Sequence, residues 1–229
     1  MTSIALLGDS IFDNHAYVGQ GPDVVTQLRT VLPEGWRATL CARDGTTTAD
    51  IGPQLDRVPD HVTHVVLSLG GNDGLENADL LAPIPVPHMA AALDRLGERI
   101  DAFVQAYGWV LDAVCALGPA VTVCTIYDAN LAGDEGHRAI TVLRLFNDAI
   151  VQAALARDVD VLDLRTVCTQ PNHYANDIEP GIEGGARIAE AIAKALGALE
   201  GTRTSSLHRA SSAGAVAGMR DPNATPFRS

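Results

Sequence analysis

Basic residues are scarce in this sequence. Sixteen lysines and arginines stand against 28 aspartates and glutamates, a formal net charge of −12. No basic stripe is available to follow a phosphate backbone, so no nucleic-acid partner is expected. The same balance opposes an anionic membrane surface, and no membrane partner is expected. Cysteine is sparse too. Cys41, Cys115, Cys124 and Cys168 form no Cys-x-x-Cys pair, which argues against structural zinc. Their neighbours are apolar, as in Val121-Thr-Val-Cys124, and they read as small buried hydrophobes. No run approaches the ~18 apolar residues of a membrane span. The chain passes from Met1-Thr-Ser into Ile4-Ala-Leu-Leu7 with no basic leader, so the expected compartment is the cytoplasm. No His, Asp and Glu cluster has metal-ligand spacing, and no Gly-Lys-Ser/Thr follows a glycine-rich turn. No metal or other cofactor is expected.

What is present is apolar. Hydrophobic residues make up 47% of the 229 and charged residues 19%, the composition of a single domain with a sizeable core. Short apolar runs alternate with stretches of helical spacing. Strands are predicted at 3–7, 36–41, 62–69, 120–126 and 159–164. Helices are predicted at 17–32, 47–55 (weakly), 88–117, 136–156 and 186–199, with a turn over Gly70–Gly74. The strands are apolar on both faces, which predicts a parallel sheet covered on both sides. The fold class is therefore α/β: a three-layer, doubly wound, flavodoxin-like fold with a five-stranded parallel sheet. Its crevice lies at the carboxyl ends of the strands.

Composition changes near residue 200. Residues 201–229 are rich in Ser, Ala, Gly and Thr and carry four arginines against one aspartate. The tail thus holds a formal charge of +3 and the remainder −15. The expected organisation is a domain over 1–200 and a flexible tail over 201–229.

Three strand ends carry residues able to do chemistry. Gly8-Asp-Ser10 follows the first strand, which lifts Ser10 to the sheet's carboxyl edge. Gly45 follows the second, where a glycine lets the backbone approach a ligand and present its N–H. Gly70-Gly-Asn72-Asp73 follows the third, with an amide side chain at Asn72. Together they supply a nucleophile and an oxyanion hole built from the Ser10 N–H, the Gly45 N–H and the Asn72 amide.

In these blocks the sequence resembles the SGNH (GDSL) hydrolase family. Gly8-Asp-Ser10 matches the first block, Gly45 the second and Gly70-x-Asn72-Asp73 the third, and the resemblance covers about residues 1–199. It implies a flavodoxin-like fold, a serine nucleophile, and hydrolysis of esters, thioesters or acetylated carbohydrates. The fourth block, Asp-x-x-His in the family, departs. Here it reads Asn176-Asp-Ile-Glu-Pro-Gly-Ile-Glu-Gly184, with Glu179 in the histidine place and Asn176 in the aspartate place. Sliding by one residue restores Asp177 but sets Pro180 where the histidine belongs.

A glutamate is a weaker base than a histidine by about two pKa units, or roughly 3 kcal/mol of proton affinity. Desolvation can return part of that. Glu179 is thus the candidate base on Ser10, oriented by Asn176. His173, six residues earlier in the same loop, could pair with Asp177 or Glu179. Asp13 and Asn14 after the first strand, and Tyr127 and Asp128 after the fourth, are candidates for substrate contact. The expected function is a serine ester hydrolase with an atypical base, acting on a small acyl ester. An SGNH-fold binding protein that cleaves nothing, and an acyltransferase using the same serine, are the alternatives. The oligomeric state is open.

Overall fold

The computed structural model describes residues 1–83 and 85–199. Its five strands are β1 (Ser3–Gly8), β2 (Arg37–Leu40), β3 (His64–Ser68), β4 (Ala120–Cys124) and β5 (Asp160–Leu162). All neighbours pair in parallel, in the order β2-β1-β3-β4-β5. This is the flavodoxin-like order expected from the alternating pattern. It reverses direction between β1 and β3, where such sheets open a crevice at their carboxyl ends.

The helices are α1 (Val24–Val31), α2 (Gly52–Leu55), α3 (Gly71–Glu76), α4 (Met89–Ala116), α5 (Gly133–Ala156) and α6 (Ile182–Ala195). Side-chain alternation along the strands splits the core into two. Ala5, Leu7, Val65, Leu67, Val123 and Val161 point to the face covered by α4 and α5. Ile4, Leu6, Val66, Cys124 and Leu162 point to the face covered by α1 and α6. Each fully buried Val, Leu or Ile contributes about 1.5–3 kcal/mol. Phe103 and Tyr107 of α4 meet Phe146 of α5, with the Phe103 and Phe146 ring centroids 4.6 Å apart. Helix α5 is long and apolar enough to cross a membrane by length and composition alone. Here Phe146, Ala149, Ile150, Ala153 and Ala154 bury that face in the core.

Four elements depart from the sequence pattern, the first being the predicted helix over 47–55, which breaks into a 3-10 turn over Thr48–Asp50 and the short α2. The predicted helix over 17–32 is confined to α1, because Gly19, Gly21 and Pro22 interrupt its front half and Asp23 caps the new start by accepting from the Thr26 N–H at 2.8 Å. The predicted turn after β3 is a short helix, α3, entered through Gly70 at φ +118°. Helix α6 begins four residues before the predicted 186, so Gly184 and Gly185 lie inside it. A Cβ on Gly184 would stand 2.1 Å from the His173 carbonyl oxygen, so this glycine serves close packing. The expected tail over 201–229 lies outside the described residues.

The tightest constraint on the site is at the end of β1. Gly8 has φ +129°, and a Cβ there would lie 1.7 Å from the Ser68 carbonyl oxygen of β3. Gly8→Ala is therefore expected to cost more than about 3 kcal/mol, through both strain and overpacking. Denaturant unfolding measures this, and a loss below about 1 kcal/mol would contradict the packing described.

Candidate active site

The loops after β1, β2 and β3 are stitched together by buried polar side chains. Gln54 of α2 is 2% exposed and clamps the end of β1: its Oε1 accepts from the Gly8 N–H at 2.8 Å and its Nε2 donates to the Gly8 carbonyl at 2.7 Å. The same amide nitrogen donates to Thr46 Oγ1 at 3.0 Å, which joins the β2 loop to β1. The Thr46 carbonyl in turn accepts from Asn72 Nδ2 at 3.0 Å. Asp73, beside it, accepts from the Thr48 N–H and from Thr48 Oγ1, the latter at 2.5 Å. Ser10, the residue after Gly45, and Asn72 are thus held by one network. Among the described residues, the Ser10 and Gly45 N–H groups donate to nothing, and Asn72 Nδ2 keeps a second hydrogen free. Gly45 itself is exposed, with φ +79°.

Glu179 is brought to Ser10 by the loop before α6. Asn176 Oδ1 accepts from the N–H groups of Ile178 and Glu179 at 2.9 and 2.8 Å, and the Ala175 N–H donates to the Glu179 carbonyl at 2.8 Å. This tight turn, closed by a bridge between Tyr174 and Pro180, buries the Glu179 side chain to 6% exposure. Its Oε2 is buried without a hydrogen-bond partner. Burial pushes the carboxyl above the usual carboxylate range, the nearby Ser10 hydroxyl draws it back as a hydrogen-bonding neighbour, and Asp44 raises it further. The Ser10 and Glu179 side chains meet in the lining of one cavity.

Ser10, Asn72 and Glu179 share the wall of a cavity of about 100 Å³. Leu75, Leu81, Leu131, Val142 and Leu143 form much of the remainder, so the cavity is apolar away from its polar mouth. Tyr127 also lines it. Its hydroxyl donates to the Ile178 carbonyl at 2.6 Å, which braces the Glu179 turn against β4. Asn147 of α5 fixes the same strand end by bonding both backbone groups of Ile126 at 2.7 Å.

The other expected residues lie outside that wall. Asn14 is fully buried and structural: its Nδ2 donates to the Pro180 carbonyl at 3.0 Å, and its Oδ1 accepts from the Val24 N–H at 2.9 Å. Asp13 accepts from the Asp44 N–H at 2.9 Å. Asp128 offers its carbonyl to the Tyr174 hydroxyl at 2.6 Å. Asp177 is exposed and contributes only its carbonyl, to the Asn130 N–H. His173 is 2% exposed, and its Nδ1 accepts from the N–H groups of Thr169 and Gln170 at 3.1 and 3.3 Å. Burial and Arg187 hold its pKa below the ordinary value. The ring is a neutral loop brace.

Sequence reasoning passed over Gln54, Asp73 and Asp9. Gln54 sits in a weakly helical stretch with no motif, and only its 46-residue reach to Gly8 reveals it. No group of three or more His, Cys, Asp and Glu could hold a metal ion among the described residues. His173→Ala is expected to cost about 1–3 kcal/mol in denaturant unfolding, since a buried ring is removed and the Thr169 and Gln170 N–H groups lose their acceptor. A serine-directed probe should register no change at Ser10, and a large change there would return the histidine to the site.

Comparison with known proteins agrees with this geometry. Residues 6–187 match the GDSL-like lipase/acylhydrolase family. Among solved structures, the fold is similar to an extracellular lipase from Streptomyces rimosus (TM-score 0.61, 18% identity, 82% of this chain and 96% of that one). It is similar also to Axe2, an acetylxylan esterase from Geobacillus stearothermophilus (TM-score 0.63, 18% identity, 86% and 94%). A third is phospholipase A1 from Streptomyces albidoflavus (TM-score 0.57, 17% identity, 81% and 94%). Comparison with curated protein sequences finds no match. With the strand-end blocks in place and the match running through most of its length, the chain belongs to the GDSL-like lipase/acylhydrolase family.

Proposed function

We propose that this protein is a serine ester hydrolase in which Glu179 performs the histidine's task. The observation that carries the reading is the Ser10 hydroxyl beside a buried carboxylate whose Oε2 has no partner, at the mouth of an apolar cavity. Glu179 takes the Ser10 proton as Oγ attacks the acyl carbon. The Ser10 N–H, the Gly45 N–H and the free hydrogen of Asn72 Nδ2 receive the oxyanion. The tetrahedral intermediate collapses, the Glu179 proton passes to the departing alkoxide, and an acyl-enzyme remains. A water then gives a proton to Glu179 and attacks the acyl carbon, and Ser10 recovers its proton as the acid leaves.

The weaker base is compensated by dryness, since burial raises the Glu179 pKa toward the working range. The apolar wall of Leu75, Leu81, Leu131 and Leu143 suits an acyl chain better than a sugar. A crevice that binds without cleaving is the reading favoured by the missing imidazole, and an acyltransferase would use the same acyl-enzyme.

Nitrophenyl esters test this. Ser10→Ala should lose about 10³-fold or more of the activity, and Glu179→Gln about 10²- to 10⁴-fold. Wild-type activity should fall on acidification as Glu179 is protonated. Equal rates for all three proteins, with no labelling of Ser10 by a fluorophosphonate, would leave a binding protein; labelling without turnover would point to a missing acceptor. A second measurement concerns chain length. Each methylene buried contributes about 0.8 kcal/mol, so kcat/KM should rise roughly fourfold per carbon from acetyl until the cavity is full. A preference for acetyl over hexanoyl esters would contradict the acyl-chain assignment.

A further inference from the structure

Asp9 is a buried titratable group that the reaction above does not use. It precedes Ser10, is 2% exposed, and lines the same cavity as Ser10, Asn72 and Glu179. Its Oδ1 accepts from the Ile11 N–H at 3.2 Å. Its Oδ2 lies against Gly71, 3.5 Å from where a β-carbon on that residue would stand. The titratable groups that face it are Glu179 of the α6 loop, Asp73 of α3, Tyr107 of α4, Cys124 of β4 and Tyr127 just after β4. None is a cation. The two tyrosines and the cysteine are themselves pushed up by burial and stay neutral. An anionic Asp9 would have only backbone amide hydrogens, those of Ile11 and of Asp9 itself, to balance the charges of Glu179 and Asp73.

We propose that Asp9 is a positioning residue which, as a neutral carboxylic acid in the wall it shares with Ser10 and Glu179, holds the second proton of the two carboxyls lining that wall. This leaves Glu179 the single ionised acceptor and keeps a second negative charge away from the forming oxyanion. The inference rests on the Ser10–Glu179 reading of the reaction. Its electrostatic support is that burial, helped by Glu179 and Asp73, pushes the Asp9 carboxyl up to about 7. The competent form is then Glu179 ionised with Asp9 protonated. Ionisation of Asp9 places an anion in a low-dielectric wall beside the developing oxyanion, and the reaction slows.

The test is the pH profile of kcat/KM on a nitrophenyl ester, corrected for spontaneous hydrolysis, for wild type and Asp9→Asn. Asparagine is isosteric, and its oxygen can still accept from the Ile11 N–H. Wild type should give a bell whose alkaline limb has an apparent pKa near 7, a value belonging to the pair. Asp9→Asn should keep the acid limb and lose the alkaline one, so the variant gains about tenfold on wild type for each pH unit above it. Two readouts do not need activity. In wild type, carbon NMR with isotope-labelled aspartate should show a carboxyl still titrating near neutrality. Because the folded pKa is raised, the stability associated with Asp9 is complete below the unfolded value near 4 and lost as pH rises through about 7. Wild type should lose melting temperature over that window relative to Asp9→Asn. A Ser10-dependent activity whose alkaline limb survives unchanged in Asp9→Asn, or the absence of a late-titrating aspartate, overturns this inference alone. Activity indifferent to both Ser10 and Glu179 overturns the underlying reaction instead.

Discussion

The site depends on how closely the ends of β1 and β3 approach. Gly8 has no side chain because the Ser68 carbonyl occupies the place where one would be. That contact lets the Asp9 N–H reach the Ser68 carbonyl at 3.1 Å, so the chain turns at once into Ser10. Gln54 then closes both polar groups of Gly8 from the other side and ties in the β2 loop through Thr46. A strand end is ordinarily where order fades. Here a steric contact and a buried amide carry it two residues further, to the Ser10 hydroxyl.

The second organising feature is the charge of the site. Asp9, Asp73 and Glu179 are buried around Ser10 and Asn72. Asp73 is the one whose burial is well compensated, by Thr48. All three are raised in pKa with desolvation as the leading cause, Asp73 against the pull of its Thr48 bonds, and Glu179 Oε2 is buried without a partner. Buried polar groups left short of partners cost stability and are rare where nothing is gained from them. Asp9 and Glu179 lie together in the wall of one apolar cavity.

Most of the fold was readable because it is written in short-range pattern. Apolar runs closed by Gly8, Gly45 and the Gly70-Gly71 pair gave the strands, and alternation with helical spacing gave the parallel order. The errors came where a residue type has two physical uses. Gly184 and Gly185 looked like a helix start but are small so that α6 can lie on the His173 backbone and on Gln27. The site was readable only in part for a related reason. The strand-end blocks are local, and they named Ser10, Gly45 and Asn72, while the anchors Pro180 and Gly184 named Glu179; the structure sets Ser10, Asn72 and Glu179 in one cavity wall and leaves Gly45 exposed outside it. The contacts made by Asn14, His173 and Gln54 are fixed by partners far along the chain, to the Pro180 carbonyl, the Thr169–Gln170 turn and Gly8 respectively. Polarity in a loop near the nucleophile did not distinguish a residue that faces the cavity from one that braces it.

A glutamate at the histidine position and an acid before the serine have one physical cause in common. Replacing imidazole by a carboxylate lowers proton affinity by roughly 3 kcal/mol in water. Drying the site recovers part of that, because an unsolvated carboxylate holds a proton more tightly. Dryness is not selective, however, and the same apolar surroundings raise every carboxyl within them. With no cation among the groups that face Asp9, two anions side by side would be far costlier than one. On the proposed reading the pair settles with one proton between its members, and Glu179, whose pKa the Ser10 hydroxyl lowers, is the one left bare. On that same reading, the altered base and the buried acid form a single electrostatic arrangement, in which the apolar cavity offered to an acyl chain also sets the proton affinity of the group assigned to activate the serine.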